Sequence, residues 1–335
     1  MKDLELLVTL WPTFPHFKRF AQDNRLAGIR LNSAMIELEE LGDELQLAQK
    51  IGGQVPLYFD VKARQLRVAE VIPNSNYLEL ILNHPISVKT PTEVLFKAGE
   101  DCAVLDKVKE GKHLIFQGGP HYKVKKGESL HIRHPSLEVG GSTFADSEIP
   151  KIEKAKAAGF DKFFMSYVES QRDIDAFREL VGDAYIIAKI ENNKGLNYVA
   201  KEYVKKDNLA LIAACGDLYV EIGRPHEIMG ALKLIIEKDP QAYVGSRMLL
   251  SVIHSPVPSF ADLLQLSWLY DTGYKRMMLC DELCLKEDLL GTAVNVFESF
   301  RETYAHEIQE QMAVEQYVPM VGKIGMIQLA EKLIY

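Results

Sequence analysis

The feature that most constrains the fold of this chain is a regular alternation between short apolar segments and longer segments of helical period. The short segments are rich in β-branched and aromatic residues, which favour strands. They lie at residues 4–10, 27–32, 55–60, 161–168, 184–190, 209–215, 242–248 and 275–280. Each except the third is followed at once by an amphipathic stretch, and Gly182 and Gly273 stand where helices commonly end.

Strands that are apolar along their whole length indicate a parallel sheet that is buried on both faces by helices. Eight such units predict an α/β fold of the closed (β/α)₈ TIM barrel class. A doubly wound open sheet is the alternative, but no GxGxxG turn follows the first predicted strand.

Residues 68–141 interrupt this alternation between the third strand and its helix. Apolar residues here recur at every second position, in short runs separated by the turn sequences GED, KEGK and KKGES. This pattern predicts a small all-β domain inserted after strand 3. The barrel domain then comprises residues 1–67 and 142–335, in which residues 297–335 predict further helix.

Composition excludes several classes of function. The chain has 335 residues, 47% of them hydrophobic, and a net charge of −8. The negative charge argues against a nucleic-acid surface or a polybasic membrane patch, and no apolar run approaches a membrane span. Its four cysteines are too few for a disulfide framework, so we expect a cytoplasmic protein. The first residues are unlike a signal peptide.

In (β/α)₈ enzymes the active site lies at the carboxyl ends of the strands, and polar residues collect there in this sequence. The candidates are Arg30, Asn32, Asp60, Lys62, Ser166, Lys189, Glu191, Asp217 and Ser246. Two carboxylates on adjacent strands, Glu191 and Asp217, can share a hard divalent cation. Arg30 and Lys189 supply the positive charge that a phosphoryl or enolate oxygen requires.

Simpler roles compete with these assignments. Asp217 can cap a helix, and Arg30 can serve as a structural partner of Asp60. Lys62 and Arg67 can be solvated charges at the mouth of the insertion. The hydroxyls of Ser166 and Ser246 can merely satisfy backbone groups.

Five segments resemble signature motifs of the pyruvate kinase family and occur in the family's order. They are GIRLN, LYFDVKARQLR, IIAKIENNKGL, ACGDLYVEIG and MLLSVIHSPVPS. The resemblance covers roughly residues 1–67 and 142–300. It implies that the insertion corresponds to the family's mobile lid domain, and we find no counterpart of the family's C-terminal effector domain.

The resemblance also implies a role for each matching residue. Mg²⁺ or Mn²⁺ would be held by Glu191 and Asp217, and the substrate phosphate by Lys189, Arg30 and Ser166. Asn32 and Asp60 would be ligands of a monovalent cation (K⁺), and Asn32 would also lie near the substrate. Lys62 and Arg67 would lie near the nucleotide phosphates. The substrate carboxylate would be bound by Gly216, Asp217 and Ser246, and Ser246 would also deliver a proton.

Several positions depart from the family pattern. Cys215 replaces an arginine, Gln65 a glutamate and Tyr219 a glycine, while Ala34 and Met35 replace a serine and a histidine. The segment CDELCLKED retains only Glu282 of the motif after the eighth strand. The metal and enolate half of the expected site is therefore intact, whereas the nucleotide and monovalent-cation half is altered.

Three functions follow as hypotheses. The first is a Mg²⁺-dependent phosphotransferase that moves the phosphoryl group of phosphoenolpyruvate to ADP or another acceptor, forming pyruvate through its enol. The second is a Mg²⁺-dependent lyase or aldolase acting on a pyruvate enolate, which the loss of the arginine at Cys215 favours. The third is a catalytically altered homologue with a binding role. In each case we expect small-molecule ligands and a homo-oligomer.

Overall fold

The structure is a computed structural model that describes residues 4–73 and 77–305. Eight parallel strands form the barrel: β1 (Glu5–Thr9), β2 (Gly28–Asn32), β3 (Leu57–Val61), β12 (Lys162–Met165), β13 (Tyr185–Ile190), β14 (Leu209–Ala214), β15 (Tyr243–Gly245) and β16 (Arg276–Met278). They close in the order β1-β16-β15-β14-β13-β12-β3-β2. The barrel closes because Leu7 of β1 pairs with both Gly28 and Met278. The predicted barrel is confirmed, and the open sheet is not observed.

Helices surround the barrel strands. They are α1 (Phe17–Phe20), α2 (Leu38–Ile51), α3 (Ile149–Ala157), α4 (Gln171–Val181), α5 (Asn193–Lys201), α6 (Cys215–Glu221), α7 (Ile228–Lys238), α8 (Phe260–Thr272), α9 (Asp281–Cys284) and α10 (Glu287–Phe300). A wider helical turn over Arg301–Ala305 continues α10. The rest of the helix predicted at 297–335 lies outside the described residues.

The insertion after β3 forms antiparallel sheets with a hydrophobic core of their own. Its strands are β4 (Val68–Ile72), β5 (Glu79–Leu82), β6 (Ile86–Ser87), β7 (Thr92–Phe96), β8 (Asp101–Lys109), β9 (His113–Gln117), β10 (Leu130–His131) and β11 (Glu138–Val139). Six strands pair in the order β10-β7-β8-β9-β5-β4, and β11 pairs with β6. Val68, Leu80, Phe96, Leu114 and Phe116 are buried in this second core, as the period of two in the sequence predicts.

A layer of apolar side chains fills the barrel below the polar strand ends. It contains Leu7, Tyr58, Phe164, Ile187, Ala210, Ile212, Tyr243 and Met278. Because side chains two apart on a strand share a face, Lys189 lies above Ile187 on the inner face of β13. The polar residues at the strand ends therefore lie directly above this packed apolar layer.

Two barrel strands end three residues earlier than predicted, and left-handed backbone follows each of them within two residues. The strand predicted at 242–248 ends at Gly245, because Ser246 and Arg247 have φ values of +60° and +57°. The strand predicted at 161–168 ends at Met165, two residues before Tyr167 with φ +51°. Non-glycine residues rarely adopt this conformation, and it concentrates at functional sites.

Within the two described ranges, the helices are all too short or too polar to cross a lipid bilayer.

Candidate active site

A cavity of about 280 Å³ lies at the carboxyl ends of the barrel strands, between the barrel and the inserted domain. The predicted residues that line it are Arg30, Asn32, Lys62, Arg67, Lys189, Glu191, Gly216, Asp217 and Ser246. The other two predicted residues, Asp60 and Ser166, are fully buried and contact the lining Lys189. The structure therefore brings all of these side chains to one end of the barrel.

Lys189 is the centre of this arrangement. Its Nζ lies 3.0 Å from Ser166 Oγ, 3.0 Å from Glu191 Oε1 and 3.7 Å from Asp60 Oδ2. Burial alone would lower the pKa of Lys189, but the charges of Asp60 and Glu191 outweigh it, and the pKa is raised. The site therefore keeps a buried positive charge.

Glu191 and Asp217 form an acid pair. Glu191 follows β13, and Asp217 lies in the first turn of α6, directly after β14. Burial and the nearby charge of Asp217 raise the pKa of Glu191 to about 8, although Lys189 opposes the shift. Burial would also raise the pKa of Asp217, but His131 and Lys189 outweigh it and the pKa is lowered. At neutral pH the pair therefore carries one proton, on Glu191.

This pair fits a divalent cation that would replace that proton. Glu191 Oε2 accepts a hydrogen bond from the Tyr167 N–H at 2.7 Å. Within the described part of the chain, the buried Oε1 accepts no hydrogen bond of good geometry, although Lys189 Nζ lies 3.0 Å away. Among residues 4–73 and 77–305, no group of three or more His, Cys, Asp or Glu side chains is arranged to enclose a metal. Two carboxylates with open positions suit Mg²⁺, which retains water or binds substrate oxygens.

Asp60 is surrounded by positive charge. Lys62 Nζ lies 2.9 Å from Asp60 Oδ2, Arg30 Nη1 lies at 3.5 Å, and Lys189 completes the set. Despite burial, these cations hold the pKa of Asp60 well below its usual range. Burial in turn lowers the pKa of Lys62 to about 8, against the attraction of Asp60.

The expected monovalent-cation ligands do not fit K⁺ in this structure. Asp60 is already paired with three cationic groups, and Asn32 Oδ1 accepts from the Ala34 N–H at 3.2 Å. The Asn32 amide donates to Asp281 Oδ2 at 2.9 Å, and Arg30 forms an ion pair with the same carboxylate. A further cation would meet positive charge in place of free oxygen ligands.

Ser246 and Gly216 join the ends of β14 and β15. The Gly216 N–H donates to Ser246 Oγ at 2.8 Å, and that hydroxyl donates to the Gly245 carbonyl at 2.7 Å. A Cβ at position 216 would lie only 2.9 Å from Ser246 Oγ, so this approach requires glycine. The loop thus places a hydroxyl beside the amino end of α6.

Arg67 joins the barrel to the inserted domain. Its guanidinium donates to Gln65 Oε1 at 2.6 and 3.0 Å and to the Gly127 carbonyl at 2.6 Å. Lys62 is 4% exposed, so it is not a solvated charge. Both line the cavity, but each already has a partner within the protein.

The replaced arginine position is inert. Cys215 is buried, its Sγ faces the Ala213 carbonyl at 3.7 Å, and burial raises its pKa to about 12. The guanidinium of Arg247 stacks on the ring of Tyr219, 4.9 Å from its centroid. Tyr219, which replaces a glycine of the family pattern, is thus also in contact with a neighbouring side chain.

Four site residues were missed by the sequence reasoning: His131, Tyr167, Glu221 and Asp281. The acid that pairs with Arg30 is Asp281, a position to which the resemblance assigned no role. Asp281 was detectable as an acid after the eighth strand. His131 lies in the insertion, and no pattern in the sequence linked it to α6.

Comparison with known proteins identifies relatives of this chain. The family model described as pyruvate kinase, barrel domain, matches residues 103–283. The pyruvate kinase of Thermoplasma acidophilum is 25% identical over 301 residues, which are 83% of this chain and 54% of that protein. The pyruvate kinase of Agrobacterium vitis is 32% identical over 160 residues, covering 46% of this chain and 32% of the relative. This chain spans about half the length of the curated relatives it matches.

A solved structure shares the fold. The crystal structure of pyruvate kinase from Pyrobaculum aerophilum superposes with a TM-score of 0.69 at 15% sequence identity. The match covers 90% of this chain and 74% of that one.

Proposed function

This chain belongs to the pyruvate kinase family, and we propose that it is a Mg²⁺-dependent phosphotransferase. In this proposal it moves the phosphoryl group of phosphoenolpyruvate to ADP or another acceptor and releases pyruvate through its enol. The observation that carries the proposal is the position of Lys189 Nζ, 3.0 Å from Glu191 Oε1 of the acid pair. Phosphoryl transfer needs such a fixed positive charge beside a cation site.

Each side chain then has a role. Mg²⁺ held by Glu191 and Asp217 would supply positive charge to the oxygens of the substrate. Lys189 and Arg30 stabilise the negative charge of the transferring phosphoryl group, and Ser166 orients Lys189 through their 3.0 Å hydrogen bond.

The carboxylate of the substrate would bind at the amino end of α6, near Gly216 and Asp217. Ser246 accepts a hydrogen bond from the Gly216 amide, and in this proposal its hydroxyl would pass a proton to the enolate carbon. The inserted domain shares the walls of this cavity with the barrel.

The test is phosphoenolpyruvate-dependent ATP formation in the wild type and in Lys189→Met. We expect a fall of about 10²–10³-fold in the variant, the usual effect of removing one preorganised charge or donor. Lys162→Met is the matched control and should leave activity unchanged, because the partly exposed Lys162 at the start of β12 pairs with the exposed Asp161. Full activity in Lys189→Met would refute the assignment.

A lyase or aldolase acting on a pyruvate enolate is the second candidate. It is favoured by the inert Cys215, which replaces the family's arginine, and by the ion pair that holds Arg30 to Asp281. This function predicts Mg²⁺-dependent exchange of the pyruvate methyl protons without nucleotide, together with cleavage of a 2-oxo acid. Exchange without ATP formation would select it. A protein that binds Mg²⁺ and oxalate but performs neither reaction would have only a binding role.

A further inference from the structure

One histidine of the inserted domain reaches the acid pair of the barrel. His131 ends β10 and is 1% exposed. Its Nδ1 lies 2.7 Å from Glu221 Oε1, and its Nε2 lies 3.7 Å from Asp217 Oδ1. Asp217 and Glu221 are four residues apart in α6, so they share one face of that helix. The imidazole therefore bridges both acids from the opposite domain.

Tyr167 connects this bridge to the other acid of the pair. Its hydroxyl lies 3.3 Å from Glu221 Oε1 and 3.4 Å from His131 Nδ1. Its backbone N–H donates to Glu191 Oε2 at 2.7 Å. The left-handed backbone of Tyr167 (φ +51°) allows one residue to serve both contacts. Glu191 and Asp217 are thus linked through Tyr167, Glu221 and His131, with one longer step of 3.7 Å between His131 and Asp217.

The contact between His131 and Asp217 is incomplete. Within the described part of the chain, His131 Nε2 is buried and has no hydrogen-bond partner. Its distance of 3.7 Å from Asp217 Oδ1 exceeds an ordinary hydrogen bond by a few tenths of an ångström. Because buried polar atoms are nearly always paired, a small movement of the inserted domain toward α6 would complete the bond.

We propose that His131 is a positioning residue that couples the seating of the inserted domain on the barrel to occupancy of the acid pair by a divalent cation. This inference rests on the proposed cation site. Glu221 fixes the ring of His131, and the ring positions Asp217, as outer-shell partners position metal ligands. Coupling between two equilibria is reciprocal, so cation binding favours the seated inserted domain to the same extent.

A second contact between the two domains and a neighbouring histidine provide the reference. Arg247 Nη2 lies 3.5 Å from the Ala98 carbonyl of the inserted domain. His134 lies three residues beyond His131, and its Nδ1 bonds with Ser136 of the same segment. Among these contacts, only the His131 bridge gives the inserted domain a direct connection to Asp217.

The experiment measures amide hydrogen exchange of β10 and β7 with and without Mg²⁺, together with calorimetric titration of Mg²⁺. In the wild type and in His134→Ala, we expect the cation to increase protection of these strands. In His131→Ala we expect that increase to vanish and Mg²⁺ affinity to fall about 10-fold. His131→Asn should behave like His131→Ala while remaining folded, because its amide can still reach Glu221 but not Asp217.

The outcomes separate the two proposals. Absence of Mg²⁺ binding in the wild type would refute the cation site itself. Binding that is lost in Glu191→Gln, combined with equal cation-induced protection in the wild type, His131→Ala and His131→Asn, would refute only the coupling. Tighter Mg²⁺ binding in His131→Ala would also overturn it, because His131 would then oppose the cation.

Discussion

Lys189 lies in β13 and Glu191 follows that strand directly, with Lys189 Nζ 3.0 Å from Glu191 Oε1. The contact explains why the pKa of Lys189 is raised in spite of burial. It does not prevent the pKa of Glu191 from rising to about 8, because burial and Asp217 outweigh the lysine. The strand end therefore holds a permanent cation beside an acid that is still protonated at neutral pH.

The first prediction concerns Mg²⁺ binding and pH. Below a pKa of about 8 the metal-free site carries a proton on Glu191, which the cation must displace. We therefore expect Mg²⁺ affinity to rise by about tenfold per pH unit from pH 6 to 8 and then to level off, with release of about one proton. Calorimetry in buffers of different ionisation heat measures the release. Glu191→Gln should bind Mg²⁺ weakly and release no proton. A Mg²⁺ affinity of the wild type that does not depend on pH would contradict the presence of a proton on Glu191.

A second prediction concerns Asp60 and stability. Asp60→Asn leaves Arg30, Lys62 and Lys189 buried without their common partner, so we expect a loss of about 3–5 kcal/mol in the free energy of unfolding at pH 7. The lowered pKa of Asp60 means that its contribution is complete above pH 3.8 and is lost only as pH falls through the folded-state value.

Urea unfolding at pH 7 and at successively lower pH measures this difference. The gap between wild type and Asp60→Asn should stay constant down to about pH 3.8 and shrink below it. The exposed Asp161, paired with Lys162 at the surface, provides the control Asp161→Asn, with an expected change within about 0.5 kcal/mol. A gap that closes already at pH 6 would exclude Asp60 as its source.

Gly216→Ala tests the junction of β14 and β15. The new methyl group would lie 2.9 Å from Ser246 Oγ and push it away from the 216 amide. We expect a loss of about 10²-fold in kcat/KM for phosphoenolpyruvate, measured by steady-state kinetics, with the fold preserved. In Gly42→Ala the nearest atoms are 3.8 Å away, and activity should be unchanged. Equal activities in the two variants would remove this loop from the substrate site.

Two glycines on barrel helices should respond in opposite directions. Gly182 ends α4 with φ +64°, so Gly182→Ala should destabilise by about 1–2 kcal/mol. Gly291 lies inside α10 with open space around its Cα, and Gly291→Ala should stabilise by about 0.5–1 kcal/mol. Thermal unfolding of both variants measures the difference. The same sign in both would show that backbone conformation is not the cause.

The barrel was predictable from the sequence because its signal is local and repeated. Each strand is apolar enough to be buried on both faces, and each helix has its own period. The insertion was predictable for the same reason, since its period changes to two. Ends of strands were less predictable, as Ser246 and Tyr167 show, because left-handed backbone at a non-glycine residue is imposed by surrounding contacts.

Some of the residues that form the site could be predicted from the sequence. Lys189, Glu191 and Asp217 stand directly at or after strand ends, where parallel strands bring side chains together. The acid that pairs with Arg30 could not be identified from the sequence, because Asp281 and Glu282 are adjacent and only the folded position of α9 decides which one faces Arg30.

By itself, the sequence determined the order of elements and the end of the barrel at which polar groups gather, because both follow from side-chain period along the chain. Tertiary structure alone decided which charges meet. Three cations converge on Asp60, and His131 crosses from the inserted domain to Glu221, 90 positions away in the chain. Charge pairing and burial depend on distances between distant segments, and those distances exist only once the chain has folded.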